Sequence, residues 1–263
     1  MSYIQVIIKG DEAEQEVLIS RFSDLSIGFE QQQNQLLVYF NNDEFDREEM
    51  ESSLQDHSFK IEYIPEQNWN TVWESNFQPV MVDSFCAIRA DFHQPILSVQ
   101  HEIIITPKMS FGTGHHATTY MMVQQMEQMY FQDKAVFDFG TGTGILAVLA
   151  EKMGAASVEA IDVDEWSIAN ARENFERNGC QRINVLLSSS LPQQQCDVIL
   201  ANINKNVLLQ YHSQLQNKLN QGGRLLLSGL LIEDEADILQ VYSAVQLHRR
   251  EERQGWISLL FVK

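Results

Sequence analysis

Cysteine is scarce in this chain, bases are outnumbered two to one, and no long uncharged apolar run occurs. Cys86, Cys180 and Cys196 are odd in number and widely spaced. They form neither a disulfide framework nor a zinc pattern, which points to small buried hydrophobes in a reducing, cytoplasmic setting. With 18 Lys and Arg against 36 Asp and Glu, the formal charge of −18 repels nucleic-acid phosphates and favours cationic partners. That weighs against a direct nucleic-acid substrate. The absence of an apolar N-terminal segment or a spanning run suggests neither secretion nor a membrane.

What is present is a sheet-and-helix pattern in two parts. Residues 1–65 read as strand 3–8, helix 11–20 with Ala13, Val17 and Leu18 inward, and a hairpin of 27–30 and 36–40 turning at Gln33-Asn34. A helix 43–54, capped near Asn42 or Asp43, and a strand 59–64 follow. The order β-α-β-β-α-β is the split, ferredoxin-like arrangement. Pro65 ends this unit. Trp69, Trp73 and Phe77 then fall on one face of a linker helix, 66–80, where an aromatic stripe serves packing.

From residue 81 strands and helices alternate. Strands are expected at 85–90, 102–106, 135–139, 157–161, 183–187, 197–201 and 223–228. Helices are expected at 115–130, 144–153, 165–178, 204–219 and 233–243. Near-continuous apolar strands such as Asp197-Val198-Ile199-Leu200 imply a doubly wound, mostly parallel α/β sheet. An antiparallel hairpin of 245–251 and 256–262, turning at Gln254-Gly255, closes it.

The chemistry concentrates at Asp138-Phe139-Gly140-Thr141-Gly142-Thr143-Gly144 and at Asp162, eighteen residues further on. A glycine turn after a strand lets backbone approach a ligand, and a carboxylate one strand over can hold both hydroxyls of a ribose. The spacing is G-x-G-x-G, with Ile145 where a dinucleotide fingerprint needs its third glycine, and no base lies between Gly140 and Ala150 to meet a phosphate. The Asp138 carboxylate suits a cation. A sulfonium with an amino-acid tail fits, so the expected cofactor is S-adenosylmethionine.

Asn202, at the end of strand 197–201, is expected to present its amide carbonyl to a substrate amine or to the cofactor. A helix N-cap explains Asn204 equally well. Ser188 to Ser190 serve either as a solvated turn or as an approach to adenine. Phe111-Gly112-Thr113-Gly114-His115-His116-Ala117-Thr118-Thr119 is a tight loop leading into a helix whose Met121, Met122, Met126 and Met129 fill core. Thr118 and Thr119 could cap that helix or donate to the cofactor carboxylate. The adjacent histidines lack acidic or cysteine partners at helical spacing, so no metal is expected. His116 could line the pocket.

The runs 111–119, D-F-G-T-G-T-G-I-L-A at 138–147, D-V-D at 162–164 and A-N-I at 201–203 together resemble the bacterial ribosomal protein methyltransferase family PrmA. So do W-N-T-V-W-E-S-N-F-Q-P at 69–79 and R-Q-G-W at 253–256. The similarity is carried by residues 60–263; over 1–60 it rests on the order of elements.

The resemblance implies a class I methyltransferase sheet over 81–263 behind a ferredoxin-like substrate-recognition domain, 1–65. It also implies methylation of amino groups on large-subunit ribosomal protein eleven. By residue it implies cofactor contacts at Thr119, Gly140, Asp162 and Asn202, to which the turn adds Gly142; Asn202 is the candidate catalytic residue. Other readings remain open. One is a methyltransferase for release-factor glutamine, although Ile203-Asn204 stands where such enzymes carry Pro-Pro. The others are a non-catalytic cofactor-binding module and, last, a dehydrogenase.

Overall fold

The computed structural model describes residues 3–23, 25–64, 77–107 and 114–263. The expected linker helix falls largely on 65–76, and the first part of the 111–119 run on 108–113, both outside the described residues. The chain divides into two compact units, Met1–Asn76 and Phe77–Lys263.

In the first unit, β1 (Tyr3–Lys9), α1 (Glu12–Phe22), β2 (Gly28–Gln32), β3 (Gln35–Asn41), α2 (Arg47–Ser53) and β4 (Phe59–Ile64) follow in sequence. The antiparallel sheet runs β2-β3-β1-β4. Ile4, Val6 and Ile8 alternate into the core with Leu36, Val38 and Phe40, as a period of two requires. Two details differ from the sequence reading. Ala13 and Val17 of α1 face solvent, and Gln15, Leu18 and Phe22 turn inward. The inward stripe follows the 15, 18, 22 spacing because Gln15 satisfies its amide on the Gly10 and Gln32 carbonyls, at 3.0 and 3.1 Å. The second helix starts four residues later than expected, at Arg47, because Asp46 accepts the Glu48 and Glu49 amides and so outcompetes Asp43 as the cap.

The second unit begins with a three-stranded sheet, β5 (Val80–Val82), β6 (Cys86–Ala90) and β7 (His101–Ile105), ordered β5-β6-β7. After α3 (Ala117–Glu127) come β8 (Ala135–Phe139), α4 (Ile145–Lys152), β9 (Ser157–Asp162), α5 (Glu165–Arg177) and β10 (Ile183–Leu187). The chain then returns through β11 (Cys196–Asn202), α6 (Lys205–Lys218), β12 (Leu219–Leu231), a short 3-10 turn, α7 (Glu235–Val241), β13 (Gln246–Arg253) and β14 (Trp256–Val262). The sheet is ordered β10-β9-β8-β11-β12-β14-β13. Its first five strands are mutually parallel, and β14 is antiparallel to both neighbours.

Alternation explains how the apolar strands feed two layers. Val136, Val198 and Leu200 pack with α3, α4 and α5, while Phe137, Phe139, Ile199 and Ala201 pack with α6 and α7. β12 is longer than expected, reaching Leu231, because a bulge between Leu227 and Leu230 lets pairing with β14 resume beyond Gly229. Burial pushes the Cys86 thiol up to about 12 and those of Cys180 and Cys196 to about 11, so none is a reactive thiolate. Among the described residues no helix is long and apolar enough to cross a membrane.

Candidate active site

Strand order reverses between β8 and β11: from β8 the chain winds outward through β9 and β10, then crosses to β11 and β12. Ligands of doubly wound sheets bind at such a switch point, beyond the carboxyl ends of the strands. The glycine turn sits there. Gly140, Gly142 and Gly144 all have positive φ (75°, 56° and 81°), a region that L side chains rarely adopt. A Cβ on Gly140 would lie 2.2 Å from Ile203 Cγ2, so the turn also needs glycine for close approach. The Gly140 and Thr141 amides both donate to the Ile161 carbonyl at 2.9 Å, which ties the turn to the end of β9.

Asp162 is fixed by the same turn. Its Oδ2 accepts the Gly142 amide at 2.9 Å and its Oδ1 the Asp164 amide at 3.1 Å. A carboxylate has about four lone-pair positions, so two remain for a vicinal diol. Asp138 behaves differently from the sequence reading. It is fully buried, Thr141 Oγ1 donates to its Oδ2 at 2.6 Å, and Oδ1 completes no hydrogen bond among the described residues, although the Ala147 amide lies near enough to favour its ionised form. Burial, with the Asp162 charge adding to it, pushes its carboxyl up to about 7. Burial in the core disfavours the charged form of this carboxyl, which weakens the cation-attracting role expected of it.

From the other side of the switch point, Asn202 ends β11. Its Nδ2 donates to Thr119 Oγ1 at 3.2 Å, and its Oδ1 is buried without a hydrogen-bond partner among the described residues. Such an atom costs about 1–3 kcal/mol unless a ligand satisfies it. Asn204 caps α6 by accepting the Val207 amide at 3.2 Å. The cap of α3 is neither Thr118 nor Thr119 but His116, whose Nδ1 accepts the Thr118 amide at 3.3 Å and pairs with Thr118 Oγ1 at 2.8 Å. A histidine takes the cap because Thr118 and Thr119 lie one and two residues inside the helix, where both are buried.

These residues line three adjoining hollows. The largest, about 420 Å³, lies between Gly140, Gly142 and Asp162 on one side and Asn202, Val207 and Tyr211 on the other. Ser188 and Ser189 close its far end, where the Tyr211 hydroxyl donates to the Ser189 carbonyl at 3.2 Å. A smaller hollow runs from Thr119 and Asn202 over the glycine turn to Ile145 and Leu146. A third, about 260 Å³, opens beyond Asn202 between Ile203, Gly229, His116 and Trp256. All five sequence-derived site residues (Thr119, Gly140, Gly142, Asp162 and Asn202) border the first two hollows.

Sequence reasoning missed Tyr211, Gly229 and Trp256. Gly229 sits in the β12 bulge with φ +84°, and a Cβ there would lie 2.2 Å from the Ile203 carbonyl oxygen. Only its neighbours in space reveal its role. Trp256 had a partial signal, since the Gln254-Gly255 turn marks it as the first residue of a strand. Among the described residues no group of three or more His, Cys, Asp or Glu side chains is placed to hold a metal ion.

The sheet order and a nucleoside-sized cleft at its switch point define a class I methyltransferase fold. The family model described as "Ribosomal protein L11 methyltransferase (PrmA)" matches residues 6–263, and the chain belongs to that family. It is 41% identical over 209 residues to the ribosomal protein L11 methyltransferase of Porphyromonas gingivalis, across 77% of this chain and 72% of that one. Its identity to the Phocaeicola vulgatus protein of the same name is 34% over 253 residues, 90% of each chain. The crystal structure of a ribosomal protein L11 methylase from Lactobacillus delbrueckii subsp. bulgaricus superposes with a TM-score of 0.66 at 31% identity, over 70% of this chain and 98% of that one.

Proposed function

We infer that this chain is an S-adenosylmethionine-dependent protein methyltransferase acting on amino groups of ribosomal protein L11, lysine side chains and the N-terminal amine among them. The observation that carries this reading is one cleft bordered at once by the glycine turn, Asp162 and Asn202. The residues fit the cofactor. Asp162 keeps two lone-pair positions for a ribose diol, Ser188, Ser189 and the Tyr211 ring border the part of the cleft left for adenine, and Thr119 beside the turn suits an amino-acid tail.

When bound, S-adenosylmethionine supplies an electrophilic methyl group on a positively charged sulfur. The residues of the chain have the remaining work of orienting a neutral amine. A lysine with an ordinary pKa near 10.4 costs about 4–5 kcal/mol to neutralise at pH 7. The hollow beyond Asn202, walled by Ile203, Gly229 and Trp256, reduces that cost by disfavouring the ammonium form. Asn202 Oδ1 accepts an N–H of the amine and so aims its lone pair; the proton is lost to water. Positioning then accounts for most of the acceleration.

The β-α-β-β-α-β unit is the substrate-recognition domain on this reading, and an acidic chain of net charge −18 suits a lysine-bearing partner made in the cytoplasm. The test is the intact mass of unmethylated L11 after incubation with the enzyme and S-adenosylmethionine, beside an Asp162→Ala variant. Stepwise methyl additions lost in the variant are the expected result. No addition, with cofactor binding retained, would reject L11 as the substrate.

A further inference from the structure

The tip of the last hairpin touches the N-terminal end of α3 at two points, one on its cap and one on its first turn. Arg253 Cζ lies 3.9 Å from the centroid of the Tyr120 ring. Trp256 meets the ring of His116, four residues earlier in the chain, at a centroid distance of 4.8 Å and an interplanar angle of 71°. His116 caps the helix and Tyr120 lies in its first turn, so both contacts fall at one helix end. Arg253 and Trp256 face each other as the last pair of the β13–β14 ladder. Between them Gln254 and Gly255 have φ of 52° and 81°, the tight primed turn that keeps the pair in register.

The other arginines near the end of β13 bond differently: Arg249 pairs with Glu251, and Arg250 with Glu235 and Glu252. Arg253 instead places its cation over an aromatic face, a geometry that attracts through the ring quadrupole. Trp256 is also anchored from behind, opposite Leu231 of β12. On its other side it meets His116 at the edge of the hollow that it borders with Asn202 and Ile203.

We propose that Arg253 is a positioning residue which, stacked on Tyr120, clamps the hairpin tip to α3 and so fixes Trp256 as a wall of the acceptor-amine pocket. The reading of that hollow as the acceptor pocket rests on the proposed function; the clamp itself is a matter of geometry. Without the clamp the wall moves and a lysine chain is held less well, while the cofactor cleft, on the far side of Asn202, is untouched. Arg253→Ala therefore raises KM for L11 and lowers kcat/KM roughly 3- to 10-fold. Cofactor affinity stays unchanged. Arg253→Lys, which keeps a cation over the ring, recovers activity to within about twofold of wild type. Tyr120→Leu reproduces the Arg253→Ala defect, and the double variant is no worse than either single one, as expected of partners in one contact.

The experiment combines these kinetics with fluorine NMR of the full chain labelled with 5-fluorotryptophan. The four tryptophans give separate signals, and Trp256→Phe assigns one of them. Arg253→Ala is expected to shift or broaden the Trp256 resonance alone. An unmoved Trp256 signal, equal movement of all four, or cofactor affinity that falls in step with L11 turnover would each overturn the clamp. If wild type transfers no methyl to L11, the functional reading falls, and the fluorine spectrum by itself decides whether Arg253 holds Trp256.

Discussion

The Asn202 side-chain amide donates to the Thr119 hydroxyl across 3.2 Å, which joins the end of β11 to the first turn of α3. Because Nδ2 is committed to that bond, Oδ1 is held in place, buried and without a partner among the described residues. In this orientation Oδ1 is the end of the amide left to a ligand.

Two variants separate these roles. Asn202→Ala removes the amine acceptor and should lower kcat roughly 10²-fold, the usual loss for one oriented polar group in an active site. Thr119→Val removes the brace, worth about 1 kcal/mol, and should cost about fivefold in kcat, while loss of its contact with the cofactor tail is read separately as cofactor affinity. Steady-state kinetics with L11 checks both; equal losses would mean that Thr119 contacts the ligand as directly as Asn202 does.

Asp162→Asn keeps the side chain's shape but halves its acceptor capacity beside the Gly142 and Asp164 amides. A hydrogen bond to a charged group is worth about 1.5–3 kcal/mol, so cofactor affinity should weaken roughly 10- to 100-fold. Calorimetric titration reads this directly, and a melting temperature near that of wild type would show that the loss is not one of folding.

Gly140→Ala combines a φ of +75° with a Cβ placed 2.2 Å from Ile203 Cγ2. The backbone strain alone costs about 1–3 kcal/mol. At about 2–4 °C per kcal/mol for a domain of this size, melting should fall by several degrees. The additional variant Ile203→Ala should relieve the clash but not the strain, so recovery in a thermal scan should be incomplete.

Asp138 gives a pH signature. Its carboxyl is pushed from the ordinary 3.8 to about 7 in the folded chain. Between those values the folded state holds a proton that the unfolded state has lost, so this group's contribution falls as pH rises from about 4 to 7 and is flat above. Asp138→Asn mimics the protonated form. Its stability advantage over wild type in urea denaturation should be near zero at pH 4, grow to at most a few kcal/mol by pH 7, and rise no further. An advantage independent of pH would mean that the carboxyl titrates normally.

Much of the fold follows from pattern alone. Strands β8 and β10 begin and end at the residues that hydrophobic runs and turn signals mark, and the turn at Gln254-Gly255 lies where glycine chemistry puts it. The glycine spacing and Asp162 mark the cleft because only residues of those types tolerate such a turn or present such a carboxylate. Where the reading went astray, long-range partners had overridden local preference. Gln15 is buried because its amide reaches the Gly10 carbonyl before the helix cap and the Gln32 carbonyl of β2, and β12 runs on to Leu231 because β14 continues to pair with it past a bulge.

The sequence by itself determined the order of elements, the need for glycine at 140, 142 and 144, and the residue types that the switch point would collect. Only the tertiary structure decided what those residues do to one another. Burial in the sheet raised the Asp138 carboxyl above its ordinary range, and the fold set Asn202 against Thr119. The antiparallel return of β14 brought Trp256, 54 positions beyond Asn202, to the edge of the same hollow. Hydrophobic period and turn chemistry are local and can be read along the chain. Desolvation, register and close approach depend on neighbours that only folding supplies.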